Sequence, residues 1–182
     1  MANLSFRFGA MGSSKTANAL MIKYNFEEKG KKAILLKPKL EYRDGATKIK
    51  SRIGLESEAM YIEDFLQNRK ACDCIIVDEA QFLTKEQVEA LANIVDLFDI
   101  PVICFGLKTD FQGNLFEGSK RLIELADKIE EITTICWCGK KARFNARIVN
   151  GKIVKDGEQI QLGGNESYTS LCRKHYTYDE LG

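Results

Sequence analysis

The chain has 182 residues, 45% hydrophobic and 29% charged, with 27 basic against 26 acidic side chains. That is enough chain for one globular domain with a small appendage. The formal net charge of +1 argues against a nucleic-acid or membrane surface as partner. No apolar run reaches the length of a membrane span, and residues 1–8 lack a signal-peptide pattern. A cytoplasmic chain with reduced thiols is therefore expected.

Leu4 to Phe8 reads as a first strand, followed by a glycine-containing turn. From Lys15 to Glu28, Ala19, Leu20, Ile22 and Phe26 recur at helical spacing, and Gly30 closes that helix. Lys31 to Leu36 carries the buried-strand run AILL. Lys37 to Leu55, with Pro38 and Gly45, is predicted to be loop-rich, and Glu56 to Arg69 helical. CIIV at Cys74 to Val77 is a second buried strand, ending at Asp78 and Glu79. Thr84 caps an amphipathic helix, with Gln87 completing a capping box. Val102 to Leu107 is a further strand, and Lys120 to Lys128 a further helix.

Alternation of strands and helices from Leu4 to about Ile129 predicts βαβ units, hence an α/β fold with a mostly parallel sheet flanked by helices. After Thr133 the texture changes. Two strand candidates, Arg143 to Val149 and Lys152 to Val154, flank the hairpin turn Asn150–Gly151. The predicted division is residues 1–132, a P-loop nucleotide-binding α/β domain, and 133–182, a small domain that needs a staple.

FRFGAMGSSKT, residues 6–16, nearly spells the phosphate loop G-x-x-x-x-G-K-[ST], with Ser14 in place of the second glycine. Such a loop turns consecutive backbone N–H groups toward an anion at a helix N-terminus. Gly9, Ala10, Met11, Gly12, Ser13, Ser14, Lys15 and Thr16 are the candidate phosphate-binding residues. The lysine supplies charge to the phosphates, and the threonine an oxygen for Mg²⁺. Asp78 stands at a strand's C-terminal end, where open α/β sheets bind ligands, and is the candidate Mg²⁺ partner. Glu79, next along, is the candidate general base.

C-W-C at Cys136 to Cys138 and C-x-x-H at Cys172 to His175 supply four zinc-type ligands without an acid, which predicts a closed structural zinc site. The spacing C-x-C is tighter than the usual C-x-x-C. Zinc would staple the small region and clamp the segment QLGGNESY, residues 161–168. In GLKTDFQGNLFEGS, residues 106–119, Phe111 and Phe116 either stack on a flat base or anchor the loop to the core.

Taken together and in order, FGAMGSSKT, DEAQF, GLKTDFQGNLFEGS, CWCGKKARFNAR and LGGNESYTSLCRKHY resemble the type II thymidine kinases, over nearly the whole chain from Phe6 to Tyr176. The resemblance implies a RecA-like P-loop domain with a zinc-bearing lasso, and transfer of the γ-phosphoryl group of ATP to the thymidine 5′-hydroxyl, with deoxyuridine a further acceptor. It implies Lys15 at the β- and γ-phosphates, Mg²⁺ on Thr16 and Asp78, Glu79 as base and Gln81 ordering the ATP site. Met11, Phe82, Leu107, Phe111, Phe116 and Tyr168 would surround the base, and Gln161, Leu162 and Gly163 would read its edge. Arg43 and Arg147 match family arginines near the site. The family is typically a cytosolic homotetramer inhibited by dTTP. Ser14, Glu41 and the short C-x-C depart from its usual pattern.

Two other readings stay open on the residues alone. A RecA-like P-loop ATPase explains Lys15, Thr16, Asp78 and Glu79, but not the aromatic loop or Tyr168. A zinc-ribbon binding module would treat Ser14 as the lesion of a dead loop.

Overall fold

A computed structural model describes residues 1–40, 47–160 and 168–182. In chain order the first half comprises β1 (Leu4–Phe8), α1 (Lys15–Glu28), β2 (Ala33–Lys37), β3 (Lys48–Lys50), β4 (Glu56–Glu58), β5 (Met60–Tyr61), α2 (Ile62–Gln67) and β6 (Cys74–Val77). A 3-10 turn at Ala80–Phe82 leads to α3 (Lys85–Phe98), β7 (Val102–Gly106), α4 (Glu117–Leu125) and β8 (Lys128–Glu131). The remainder is β9 (Thr134–Ile135), β10 (Lys141–Ala142), β11 (Phe144–Val149), β12 (Lys152–Val154), β13 (Tyr168–Leu171) and α5 (Arg173–Thr177).

β5, β2, β6, β7, β1 and β8 form one sheet in that order, every neighbouring pair parallel. Its central strands are apolar on both faces, as a parallel sheet covered by helices requires. Side chains alternate between the faces. Leu4, Phe6, Ile34, Leu36, Ile75, Val77, Val102 and Cys104 pack with Phe65 of α2, with Val88, Leu91, Ile94 and Val95 of α3, and with Leu122 of α4. Leu35, Cys74, Ile76 and Phe105 face the other way and meet Ala19 and Leu20 of α1. The predicted fold class, an α/β P-loop sheet, is the one observed.

The capping box is present: the Thr84 hydroxyl accepts from Gln87 N–H, and the Gln87 amide oxygen accepts from Thr84 N–H. Cys74 and Cys104 are fully buried free thiols, and burial pushes the Cys74 thiol up to about 12.

Some expectations fail. The helix predicted from Glu56 begins only at Ile62, because Met60 and Tyr61 extend the sheet beside Leu36 and Lys37. Edge pairing here overrides local helix preference. The loop-rich stretch contains β3, which pairs antiparallel with β4 at the start of the predicted helix in a hairpin that buries little beyond Ile49 and so leaves almost no apolar pattern. The helix predicted over Lys120–Lys128 is α4, three residues earlier at each end, and Lys128 belongs to the exposed polar edge strand β8. Polar edge strands carry no hydrophobic alternation to read.

Beyond β8 a second apolar cluster gathers Cys136, Ala142, Ala146, Leu171, Cys172 and Tyr176. β11 and β12 form the predicted hairpin, and β11 also pairs antiparallel with β13. Among the described residues, no helix is long and apolar enough to cross a membrane.

Candidate active site

β1 ends at Phe8 and the chain turns at once into the loop before α1. A Cβ on Gly9 would lie 2.3 Å from the Ile132 carbonyl and 2.3 Å from the Ser13 hydroxyl, so only glycine fits there. Ser14 takes φ 61° and ψ 25°, the left-handed conformation, and provides no side-chain cap to α1. A non-glycine residue there costs roughly 1–2 kcal/mol. The first helical hydrogen bond runs from Asn18 N–H to the Ser14 carbonyl, so the N–H groups before it have no intrahelical partner, as at any helix start, and suit an anion.

The Lys15 ammonium folds back over the loop, donating to the carbonyls of Gly9 (3.0 Å) and Ala10 (2.9 Å) and to the Ser13 hydroxyl (3.2 Å). Loss of water lowers its pKa, while the nearby Glu79 and Asp78 carboxylates oppose the shift. Arg52, from the β3–β4 turn, brings a second cation within 4.0 Å of where a Gly12 Cβ would stand.

β6 delivers Asp78 to the same end of the sheet, 3% exposed. Its carboxylate accepts from Glu79 N–H at 3.0 Å and shares a hydrogen bond with the Thr16 hydroxyl. Burial, then the Glu79 charge, pushes the Asp78 carboxyl up to about 7, against the pull of Thr16 and Lys15. Convergence of a hydroxyl and a carboxylate offers hard oxygen ligands suited to Mg²⁺. Glu79 takes φ 52°, a second left-handed non-glycine residue, and opens the 3-10 turn. Gln81, buried, donates to the Glu79 carboxylate and accepts from Leu107 N–H at 3.0 Å. One amide thereby ties the acidic pair to the loop after β7.

That loop is built around Asp110, whose carboxylate accepts from Gln112 N–H (2.8 Å), Asn114 N–H (2.9 Å) and the Gln159 side chain (2.8 Å). A Cβ on Gly118 would meet the Ala80 carbonyl at 2.5 Å, so α4 packs directly onto the 3-10 turn. Phe82 and Phe116 meet edge to face at 5.8 Å. Phe111 is buried, with the Arg147 guanidinium 3.6 Å over its ring. Arg147 also donates to the Tyr168 hydroxyl (2.9 Å) and the Glu158 carbonyl (3.0 Å). Phe82 and Phe116 thus form one pair, Leu107 is tied through Gln81 to Glu79, and Phe111 and Tyr168 share Arg147. Arg43, Gln161, Leu162 and Gly163 lie outside the described residues.

Cys136, Cys138, Cys172 and His175 converge with ligand atoms all within 4.8 Å of one another. The Cys136 sulfur lies 3.3 Å from His175 Nδ1, and the Cys138 and Cys172 sulfurs lie 3.9 Å apart. Tetrahedral zinc with bonds of ~2.3 Å to sulfur sets sulfurs ~3.8 Å apart, so the donor set and spacing fit the metal. Burial would raise the Cys136 thiol. The N–H groups of Cys138 and Cys172 and the side chains of His175 and Cys138 outweigh it and lower the thiol to about 6, favouring the thiolate a metal binds. The C-x-C spacing is accommodated by a tight turn between β9 and β10, closed by Cys136 N–H to Lys140 and Gly139 N–H to Cys136.

Sequence reading missed the residues around this cluster. His175 Nε2 lies 3.3 Å from the Glu180 carboxylate, and Trp137 stacks on the imidazole at 4.2 Å. Together they fix which ring nitrogen faces the sulfurs. Asn145 was also missed. Its signal was an uncharged polar residue inside the strand run FNARIV.

A strained phosphate-type loop beside a buried strand-end acid, on a parallel sheet flanked by helices, is the arrangement of the P-loop α/β class. The chain belongs to the thymidine kinase family: the family model described as "Thymidine kinase" matches residues 2–176. It is 48% identical over 189 residues to a thymidine kinase of Streptococcus pyogenes serotype M3, with 100% of both chains covered. It is 47% identical over 189 residues to one of Lactococcus lactis subsp. lactis, again with 100% of both covered. The thymidine kinase of Streptococcus gordonii is 49% identical over 184 residues, covering 97% of this chain and 96% of the relative.

Two outcomes are expected here. Asp78 has a folded pKa above its unfolded value, so the folded state binds the extra proton and stability falls as pH rises from about 4 to about 7. Asp78→Asn removes that loss; without nucleotide its melting temperature should exceed the wild type's at pH 8, with the gap closing toward pH 4. A constant gap would contradict the assigned shift. Trp137 is the only tryptophan in the chain. Stripping metal with a chelator should release the Trp137 stack and shift its emission, reversed by zinc; unchanged emission after verified metal loss would contradict the arrangement.

Proposed function

We propose that this chain transfers the γ-phosphoryl group of ATP to the 5′-hydroxyl of thymidine, and that the end of the sheet described above carries the reaction. The observation that carries the reading is the convergence of Lys15, Thr16, Asp78 and Glu79 at one sheet edge, beside an aromatic-lined loop, in a chain of this family. Residues 9–16 cradle the phosphates through backbone N–H groups, and Lys15 exchanges its hold on the loop carbonyls for the β- and γ-oxygens. Thr16 and Asp78 would hold Mg²⁺, which when bound neutralises phosphate charge. Glu79, oriented by Gln81, accepts the proton from the 5′-hydroxyl. Phe82, Leu107, Phe111, Phe116, Met11 and Tyr168 enclose the base, and Gln161, Leu162 and Gly163 read its edge. Arg147 supports this wall through Phe111 and Tyr168 rather than by touching phosphate.

Residues 1–132 form the nucleotide-binding domain in this reading, and residues 133–182 a smaller domain stapled by zinc on Cys136, Cys138, Cys172 and His175. Deoxyuridine as a second acceptor, dTTP inhibition, a homotetramer and a cytoplasmic location are carried over from the family resemblance alone.

Positioning and charge neutralisation supply most of the acceleration in phosphoryl transfer, and the base contributes late. Glu79→Gln should therefore retain ATP binding and lose ~10²–10⁴-fold in kcat. Titration calorimetry with ATP and steady-state thymidine phosphorylation measure the two quantities. Full turnover in that variant would remove Glu79 from the role. Phosphate release without thymidine monophosphate would favour the P-loop ATPase reading instead.

A further inference from the structure

Asn145 is 4% exposed, on the β11 strand that also carries Arg147. Its side-chain oxygen accepts from Met11 N–H at 2.8 Å, inside the phosphate loop. Its side-chain nitrogen donates to the Thr109 carbonyl at 3.3 Å, inside the loop that follows β7. The two partners lie on separate segments of the α/β sheet's edge, and Asn145 belongs to neither. An N–H on one side and a carbonyl on the other call for a group that both accepts and donates at the same reach, which a carboxamide does and a carboxylate does not.

What holds Asn145 is the second apolar cluster. Asn145 pairs with Ser170, and the same ladder sets Phe144 against Leu171, the residue before Cys172. Tyr176, on the helix that carries His175, stacks on Phe144 at 4.5 Å and donates to the Phe111 carbonyl at 2.6 Å. The Cys/His cluster thereby fixes the strand from which Asn145 reaches both loops.

We infer that Asn145 is a positioning residue that joins the phosphate loop to the nucleoside loop and makes the geometry of both depend on the metal-bearing unit. The inference rests on the site reading given under Proposed function. Loss of the bridge frees the Met11 peptide and the Thr109 carbonyl together, so binding of both substrates suffers while the acid and base at Asp78 and Glu79 stay in place.

The test is steady-state kinetics on zinc-loaded wild type, Asn145→Ala, Asn145→Asp and Ile153→Ala. Ile153 packs on the second cluster and serves as the structural control. Asn145→Ala should raise the KM of both ATP and thymidine by about fivefold or more, the loss of one hydrogen bond each, with zinc content unchanged. Ile153→Ala should lower the melting temperature and leave both KM values alone. Should Asn145→Ala not fold, the isosteric Asn145→Asp carries the test: it loses the donor to Thr109 and should raise the thymidine KM. Unmoved KM values in the Asn145 variants, or a pattern matching Ile153→Ala, overturn the inference while the site reading stands. A wild type that does not phosphorylate thymidine overturns the site reading and this inference with it.

Discussion

Asp78 lies nearly dry at the end of β6, in hydrogen-bond contact with Thr16 and beside Glu79. Burial and the Glu79 charge raise the pKa of a carboxylate so placed, because burial penalises the charged form. The neighbouring architecture answers to that constraint. Lys15 opposes it with positive charge, and β1, β6 and the intervening β7 bring the lysine and the acid to one edge. The strained backbone at Ser14 and Glu79 keeps N–H groups and a second carboxylate aimed at the same space. Strain at two adjoining non-glycine positions costs stability that the large apolar cores on the sheet's faces readily offset.

Two amides extend this arrangement outward. Gln81 connects Glu79 to Leu107, and Asn145 connects Met11 to Thr109. The first acts within the α/β sheet's own loops. The second arrives from β11, whose partner strand β13 leads into Cys172. Arg147 over Phe111 and Tyr176 on the Phe111 carbonyl repeat the theme, with a side chain of the small unit holding a loop of the large one.

The strands Leu4–Phe8 and Cys74–Val77 and the helix Lys15–Glu28 were legible to the residue, because apolar runs and a phosphate-loop turn mark them sharply. So was the Thr84 cap, whose chemistry is local. The polar strands at Lys48, Glu56 and Lys128 were not legible, since backbone pairing rather than side-chain pattern makes them strands, in a local hairpin for the first two and against distant β1 for the third. At the candidate site, the residues with motif chemistry that the structure brings together, Lys15, Thr16, Asp78 and Glu79, were legible, as were the four Cys/His side chains that converge. Asn145 and Arg52 were not, because the groups they approach are distant in sequence; Glu180 follows His175 closely, but no motif spacing announces it.

The account stands most directly on where a bound triphosphate and acceptor would sit. A crystal structure with Mg²⁺, thymidine and a non-hydrolysable ATP analogue decides it. The account requires the metal between the Thr16 hydroxyl, the Asp78 carboxylate and the phosphates, with the thymidine 5′-oxygen in hydrogen-bond reach of Glu79. A triphosphate bound elsewhere, or a 5′-oxygen facing away from Glu79, would contradict it.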